Sequence, residues 1–468
     1  MGQLEQATIV AVVQHFNKKK KFKSFHETYR QCAFALAFAL IYPNSSNYRK
    51  RATLFYTVVG VNFLMLYWFF LYLYKCTVTQ DLVNLTRNIS IGILTSLFFF
   101  KYFYVNSKTD IFAQLLQKIT DDLLKGNELE EDYQNIYAQY IKVGKLGQFC
   151  WIVIPLLLST QFPLYASVAM IYESFMSDDP KRYMVHELEL RNLEDKQFET
   201  PLFEFVFGYN IVQCITLCPN FVGFDGSFCI ATTHLCMKLK LVSHKMYRAF
   251  KDSKDRDELE MRVKEAIKDH QEALVFYNDL QEFYGGWLFM VFLVTSLLIA
   301  MNLYQLYLSD HIDVKYTIFA ISAAIHMFTP CYFASNLIKA SEDLSLDIYS
   351  VEWEYWADPQ ITNLLIFMIA KSQQALLLDG KGMVYFNMKL FISRIIAIAP
   401  TIAKVSADPG AAFPRCSQRV GGVPLPTPFT FDRGAADAQP MTARPEPAKG
   451  FIYKWNSHCQ IATSQNIG

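Results

Sequence analysis

Three ionisable side chains lie inside long apolar stretches of the chain and are the first candidates for chemistry: Asp225, His234 and His326. Charge is costly away from water, so such residues are usually paired or functional. Asp225 belongs to a Gly-rich GFDG step, where we favour a structural role in capping the backbone of an interrupted helix, with ion passage as the alternative. His326 and Pro330 could form a bend, but a hydrogen-bonded core histidine is the favoured interpretation of His326.

Signatures of enzymes, metal sites and nucleic-acid binding are missing from the sequence. It contains no GxSxG, HExxH or P-loop lysine, and its ten cysteines are scattered without a CxxC pair or zinc-ligand spacing. A formal net charge of +1 argues against a nucleic-acid footprint, which needs a strongly basic balance. We therefore expect no enzymatic activity, no cofactor, no metal and no nucleic-acid partner.

The elements that must position the candidate residues are apolar segments long enough to cross a bilayer. The chain of 468 residues is 52% hydrophobic and 19% charged, against about 25% charged in soluble domains. A membrane-spanning helix needs about 20 apolar residues. The sequence predicts an all-α membrane protein with seven transmembrane helices, at 53–74, 89–105, 147–172, 205–237, 287–307, 316–338 and 384–403. Lys101 and Arg394 make the second and seventh spans the least secure.

The distribution of lysine and arginine predicts the orientation, because cytoplasmic loops retain these residues. Residues 1–52 and the loops after the second, fourth and sixth spans together carry 27 lysines and arginines. The loops after the first, third and fifth spans carry seven. We therefore expect a cytoplasmic amino terminus and, after seven spans, an extracellular carboxyl terminus. Two glycosylation acceptors, Asn84 and Asn88, fall at the first outside loop, which agrees with this orientation. A third, Asn44, falls inside and should stay unmodified.

Three stretches of the sequence resemble insect odorant receptors. They are ETPLFEFVFGYN (199–210), GFDGSFCIATTHLCMKLKLV (223–242) and the segment 341–393, which has the acidic residues, aromatic cluster and short amphipathic helix of the family's signature region. The resemblance covers about residues 1–393. It implies a plasma-membrane subunit, expected in the dendrite of an olfactory neuron. Such a subunit forms a hetero-oligomer, expected to be a tetramer, with a common co-receptor and contributes to an odorant-gated cation channel.

The resemblance also implies a ligand pocket in the outer half of the helix bundle. A pocket for a volatile molecule should be apolar with one or two orienting polar groups. The predicted orientation identifies the outer ends of the third, fourth and sixth spans, which supply nine candidates. They are Thr160, Phe162, Tyr165, Met170, Tyr209, Gln213, Ile318, Ile321 and Ser322. For each of them taken singly, ordinary helix packing is the alternative. Pro155 and Pro163 are expected to kink the third span and open space beside it.

In the family the last helices line the pore and the cytoplasmic helix ends hold the subunits together. The corresponding pore candidates are Phe391, Ile395 and Ile398. In the charged stretch 241–286 an apolar stripe at helical spacing favours a subunit contact, and an aromatic cluster has a suitable composition for the same role. The candidates are Leu259, Val263, Ile267, Trp353, Tyr355 and Trp356. Packing within the same subunit is the alternative for the stripe.

The chain departs from the family pattern after Ser393. Arg394, Pro400 and Lys404 shorten the last span, and residues 406–450 hold eight of the seventeen prolines. We expect three regions: a cytoplasmic segment 1–52, the seven-helix domain 53–403 and an atypical disordered tail 404–468.

Other classes of membrane protein are weaker interpretations. A G-protein-coupled receptor would need an outside amino terminus, a DRY-like triplet after the third span and NPxxY in the last, none of which the sequence supports. A transporter would be expected to show repeated halves or paired intramembrane charges. A gustatory receptor of the same superfamily remains an alternative.

Overall fold

Long helices dominate the structure because the apolar segments can satisfy their backbone groups only within themselves. The computed structural model describes residues 21–43, 48–177, 180–191, 193–194, 196–308, 314–356, 358–394 and 396. The chain divides into two units, 1–411 and 412–468, and all described residues belong to the first. The predicted tail 404–468 lies outside the described residues.

Ten α-helices and a two-stranded hairpin make up the described chain before residue 388, where a further helix begins. In order they are α1 (Phe25–Thr28), α2 (Arg30–Phe38), α3 (Tyr48–Val78), α4 (Leu82–Ser107), α5 (Thr109–Lys125), α6 (Glu131–Met176), α7 (Leu202–Asp252), α8 (Arg256–Leu308), α9 (Val314–Tyr349), α10 (Pro359–Ser372), β1 (Asp379–Gly380) and β2 (Val384–Tyr385). Short 3-10 turns occupy Lys196–Phe198 and Trp353–Tyr355.

Within the described residues, six helices are long and apolar enough to cross a membrane: α3, α4, α6, α7, α8 and α9. They contain the first six predicted spans. With 53 residues, α8 is about 80 Å long at 1.5 Å per residue, much more than the roughly 30 Å of a hydrocarbon core. The charged stretch 241–286 is therefore a continuation of α7 and α8 beyond the apolar region rather than an irregular loop.

The start of the seventh predicted span is wrong. Val384 and Tyr385, which were expected to open it, form β2 and pair antiparallel with β1. Lys381 and Gly382 both have positive φ and form the turn. A Cβ on Gly380 would lie 2.9 Å from the Cα of Phe289, so the hairpin packs closely on α8. Helix resumes at 388 and is described to 394, and the remainder of the predicted span lies largely outside the described residues.

Part of the predicted amino-terminal segment is packed into the bundle. Cys32 and Leu36 of α2 are completely buried, and the Cys32 thiol donates a hydrogen bond to the carbonyl of Gly223 at 3.3 Å. A Cβ on Gly223 would lie 2.7 Å from the backbone nitrogen of Leu36. The first glycine of the GFDG step therefore permits the close approach of α2 to α7.

One end of the bundle carries a capping loop, which we define as residues 180–191. Its Glu189 pairs with Lys75 near the end of α3 at 2.6 Å, and its Glu187 pairs with Arg87 of α4 at 3.2 Å and with Lys315 of α9. Since these ion pairs join the loop to three helices, they close this end of the bundle. We call it the loop end.

Candidate ligand-binding site

A cavity of about 80 Å³ lies between the helices of the bundle beneath the capping loop. It is bounded mainly by one face each of α6, α7 and α9, and its walls are mostly apolar. The lining side chains are Ile91, Leu94, Trp151, Ile154, Pro155, Leu158, Ser159, Phe162, His186, Gln213, Cys214, Leu217, Cys218, Phe221, Leu298, Phe319, Ser322, Ala323 and His326. A concave, mostly apolar space with a few polar groups is typical of a small-molecule site.

Three of the nine predicted ligand residues line this cavity: Phe162, Gln213 and Ser322. Thr160 is instead exposed and donates to the carbonyl of Leu156, while Ile321 is 55% exposed on the outer face of α9.

The other four predicted residues also lie elsewhere. The Tyr209 hydroxyl donates to the carbonyl of Val61, and its ring packs on Trp68 at 5.4 Å between centroids. Met170 and Ile318 are half-buried away from the cavity. Tyr165 lines a second, larger recess at the loop end, which is described below. The sequence identified helices that line the cavity, but it could not resolve which of their faces turns inward.

The lining residues that sequence reasoning missed follow helical periodicity around those it found. On α9, Phe319, Ala323 and His326 stand at the i−3, i+1 and i+4 positions relative to Ser322. On α7, Leu217 and Phe221 follow Gln213 at one and two turns. Residues three or four apart share a helix face, so one secure anchor on each helix would have been enough to predict most of the lining.

The loop end of the cavity is closed by His186, which no periodic signal could identify because it belongs to the capping loop. Its ring is 3% exposed and lies 5.6 Å from the ring of Phe69 and 5.7 Å from that of Phe162. Burial away from water lowers the pKa of His186 to about 4. The imidazole is therefore neutral at neutral pH and carries one N–H.

At the opposite end of the cavity lies a buried ion pair between Lys101 and Asp225. His326 lines the cavity, and its Nε2 lies 3.6 Å from Oδ2 of Asp225. The same oxygen lies 2.6 Å from Nζ of Lys101, and both side chains of this pair are completely buried. Lys101 Nζ also sits 3.8 Å from the ring centroid of Phe221. A cation–π contact of this kind is strengthened where water is excluded.

This arrangement corrects the interpretation of Asp225. Helix α7 runs without interruption through the GFDG step, so Asp225 does not cap a broken helix. It neutralises Lys101, which had made the second span doubtful on sequence grounds. His234, the other candidate on α7, lies with its Nε2 2.9 Å from Oδ2 of Asp122 on α5 and does not line the cavity.

A recess of about 540 Å³ lies between the cavity and the surface of the loop end. Phe162 and His186 line both spaces and separate them. The recess is lined by ionisable side chains of the capping loop and by Tyr165, whose ring lies 4.5 Å from Nζ of Lys315.

The apolar stripe of Leu259, Val263 and Ile267, predicted as a subunit contact, packs against other helices of the same chain. Leu259 and Val263 are completely buried and belong to the main hydrophobic core, against which Ile267 packs. Leu259 and Val263 therefore pack within their own subunit, as the alternative interpretation has it, while a subunit contact of the partly exposed Ile267 stays a prediction. In the aromatic cluster Trp353 and Trp356 are half-buried against the same core, while Tyr355 is 79% exposed.

The remaining predicted residues are only partly described. Phe391, a pore candidate, is half-buried and packs on Phe328 with 5.2 Å between ring centroids. The two other pore candidates, Ile395 and Ile398, lie outside the described residues.

The two glycosylation acceptors at the loop end differ in their environment. Asn88 is 1% exposed, and its side-chain amide donates to the carbonyls of Asn84 and Glu187. In this fold Asn88 therefore has no room for a glycan, whereas Asn84 is half-exposed at the start of α4.

The apolar helices define a multi-pass helical membrane protein, and the cavity among them is its candidate site for a small molecule. The sequence profile of the 7tm odorant receptor family matches residues 81–397, about two thirds of the chain. The chain belongs to the odorant receptor family. This is a family of receptors rather than enzymes, in line with the expectation from the motifs.

Individual relatives are distant and align over limited lengths. Odorant receptor 85c of Drosophila melanogaster is 22% identical over 185 residues, which cover 37% of this chain and 46% of the relative. Odorant receptor 22b of the same organism is 19% identical over 268 residues, covering 56% of this chain and 62% of the relative. The chain thus spans less than two thirds of the length of these relatives.

The fold is similar to that of the insect olfactory receptor OR5 from Machilis hrabei. The structure of that receptor in complex with eugenol matches with a TM-score of 0.66 at 13% identity, covering 81% of this chain and 98% of the other. A second structure of OR5 matches with a TM-score of 0.62. The all-α membrane fold predicted from the sequence is confirmed.

Proposed function

We propose that this chain is an olfactory receptor subunit that binds a small apolar odorant in the cavity beneath the capping loop. The observation that carries the proposal is the mostly apolar space bounded by α6, α7 and α9. Membership of the odorant receptor family supports it. In this proposal the subunit joins a co-receptor in a hetero-oligomeric, nonselective cation channel of the plasma membrane, and the exposed Tyr355 is a candidate contact to that partner.

The proposed orientation places the capping loop outside the cell and the amino terminus in the cytosol. The excess of lysine and arginine in the loops of the opposite end supports this arrangement. The outer recess would then face the medium that delivers odorants. The charged rim of the recess would be wet, and the cavity behind Phe162 and His186 would be dry.

Binding must enlarge the cavity. Its volume of about 80 Å³ is smaller than the roughly 150 Å³ of an engineered apolar cavity that holds benzene. An odorant of ten or so heavy atoms therefore has to displace lining side chains. Because three helices and the capping loop share this lining, such a displacement would be transmitted to the bundle, which is a physical route from ligand binding to channel opening.

The proposal is tested by expressing the chain with an insect odorant co-receptor and recording odorant-evoked currents. Ala323→Trp would fill the cavity, and we expect it to remove the response or raise the half-maximal concentration at least about tenfold. Ile321→Trp is the matched control, because this neighbouring side chain is 55% exposed on the outer face of the same helix. Equal responses from the two variants would refute the cavity as the binding site, and no current from the intact chain with any odorant would count against the receptor.

A further inference from the structure

The amide of Gln213 is buried at the loop end of the cavity with one of its two ends unpaired. Its side chain is completely buried and lines the cavity. The oxygen Oε1 lies 3.2 Å from Nε2 of His186 and 3.7 Å from the thiol sulfur of Cys214. The nitrogen Nε2 has no hydrogen-bond partner among the described residues. Buried polar groups are almost always satisfied, so an unpaired amide nitrogen in a cavity wall indicates a missing acceptor.

The neighbours of Gln213 decide which end of the amide is free. A neutral His186 can donate through Nε2, and the Cys214 thiol is a weak donor. The Cys214 sulfur also lies 3.8 Å from Nε2 of His186. Both groups nevertheless reach Oε1 of Gln213 rather than its nitrogen, and of the two amide atoms only the carbonyl oxygen can accept from them. The amide therefore has its acceptor satisfied and presents N–H groups to the cavity.

The surroundings of this donor are apolar. Phe162, Leu298 and Phe319 line the cavity together with Gln213, and none of them offers an oxygen or nitrogen. Farther along, the wall continues with the large ring systems of Trp151 and Phe221. The cavity thus has a hydrogen-bond donor at its loop end and a mostly apolar wall beyond it, which is interrupted by Ser159, Ser322, His326 and the indole nitrogen of Trp151.

We propose that the ligand class of this receptor is apolar molecules with one hydrogen-bond acceptor, a ketone, aldehyde or ester carbonyl, whose oxygen accepts from Gln213 Nε2. The hydrocarbon remainder of the ligand lies against Trp151 and Phe221. This inference rests on the proposed function of the cavity. A ligand without an acceptor leaves the buried amide unpaired, and a site built around such a donor discriminates against it.

The test compares matched ligands on the purified full chain, so that it does not depend on channel activity. The probes are methyl ketones from pentan-2-one to decan-2-one and the 2-methylalkanes of the same heavy-atom count, measured by displacement of a fluorescent apolar probe. The quantity compared is the ratio of the ketone and alkane dissociation constants. Taking this ratio in the intact chain and in a variant cancels the different hydration of the free ligands.

Gln213→Leu removes the donor at nearly constant volume, and we expect it to reduce the preference for ketones about 3- to 10-fold, the value of one hydrogen bond. Gln161→Leu is the matched control, because this glutamine of α6 also has an unpaired buried amide but does not line the cavity. Its ketone preference should equal that of the intact chain. If Gln213→Leu does not give folded protein, Gln213→Met makes the same removal with an unbranched side chain.

The outcomes separate this inference from the proposed function. Ligands that bind the intact chain with a ketone preference unchanged by Gln213→Leu or Gln213→Met would overturn the acceptor class, with the amide satisfied by water instead, and would leave the receptor function standing. No binding of any probe to the intact chain would overturn the cavity as a binding site and the inference with it.

Discussion

Lys101 of α4 places its Nζ 2.6 Å from Oδ2 of Asp225 on α7, and neither side chain reaches the surface. The pair joins two apolar helices directly below the cavity, where His326 approaches the same carboxylate oxygen. An isolated charge in this environment would be energetically costly, and the ion pair neutralises both charges.

We expect Lys101→Met to destabilise the protein by about 3–5 kcal/mol, because it leaves a buried carboxylate without its counter-ion. The double variant Lys101→Met, Asp225→Leu should recover most of this loss, since it removes both charges. The measurement is thermal unfolding of the detergent-solubilised chain. Lys118→Met is the control: its partner Asp279 is partly exposed, and such pairs contribute about 1 kcal/mol or less. If Lys101→Met and Lys118→Met lost the same amount of thermal stability, burial would not be what makes the Lys101–Asp225 pair important.

Gly223→Ala should loosen the attachment of α2 to α7. The added Cβ would lie 2.7 Å from the backbone nitrogen of Leu36, and backbone cannot be displaced as cheaply as a flexible side chain. We expect a loss of about 1–3 kcal/mol and faster proteolysis of residues 21–43. At Gly208 on the same helix an added Cβ meets nothing within 4 Å, so Gly208→Ala should leave stability unchanged or raise it slightly. A Gly223→Ala protein as stable as Gly208→Ala would show that α2 is not held by this contact.

The buried imidazole of His186 should make stability depend on pH. Burial lowers its pKa in the folded chain to about 4, from 6.5 when exposed. Between these values the unfolded chain binds a proton that the folded chain does not, so this contribution is present above pH 6.5 and is lost as pH falls toward 4. The full shift corresponds to about 3 kcal/mol. His186→Gln removes the titration, so the fall in melting temperature from pH 7.5 to pH 5 should be smaller in this variant than in the intact chain. An identical fall in both would refute a role for His186.

Glycan attachment at the loop end should be confined to Asn84. The Asn84 side chain is half-exposed and its amide nitrogen donates to the carboxylate of Asp81, whereas Asn88 is buried and its amide nitrogen donates to two carbonyls. If the loop end is extracellular, as proposed, Asn84→Gln should abolish the mobility shift produced by enzymatic deglycosylation, and Asn88→Gln should leave that shift in place. Asn44→Gln should also have no effect, because this acceptor is predicted to be cytoplasmic. A shift that survives Asn84→Gln but is lost in Asn44→Gln would reverse the orientation.

The candidate site shows how far a single sequence reaches. Phe162, Gln213 and Ser322 were predicted from the polar and aromatic composition of three spans, and they do line the cavity. Ile321 was predicted with equal weight but faces outward. The two neighbours Ile321 and Ser322 differ by about 100° around the helix axis, and an apolar helix surrounded by lipid has no polar stripe that marks its outer face.

The sequence alone was enough to predict the first six spans, to exclude the known enzyme motifs and to recognise the resemblance to odorant receptors. These properties depend on local composition and on short sequence signatures. Pairings across long separations could not be predicted in this way. Lys101 with Asp225, Gly223 with Leu36 and His186 with Gln213 join residues far apart in the chain, and only the packing of the helices decides them. For the same reason the stripe of Leu259 and Val263 could be recognised as needing a partner, whereas tertiary structure alone showed that the partner lies within the same chain.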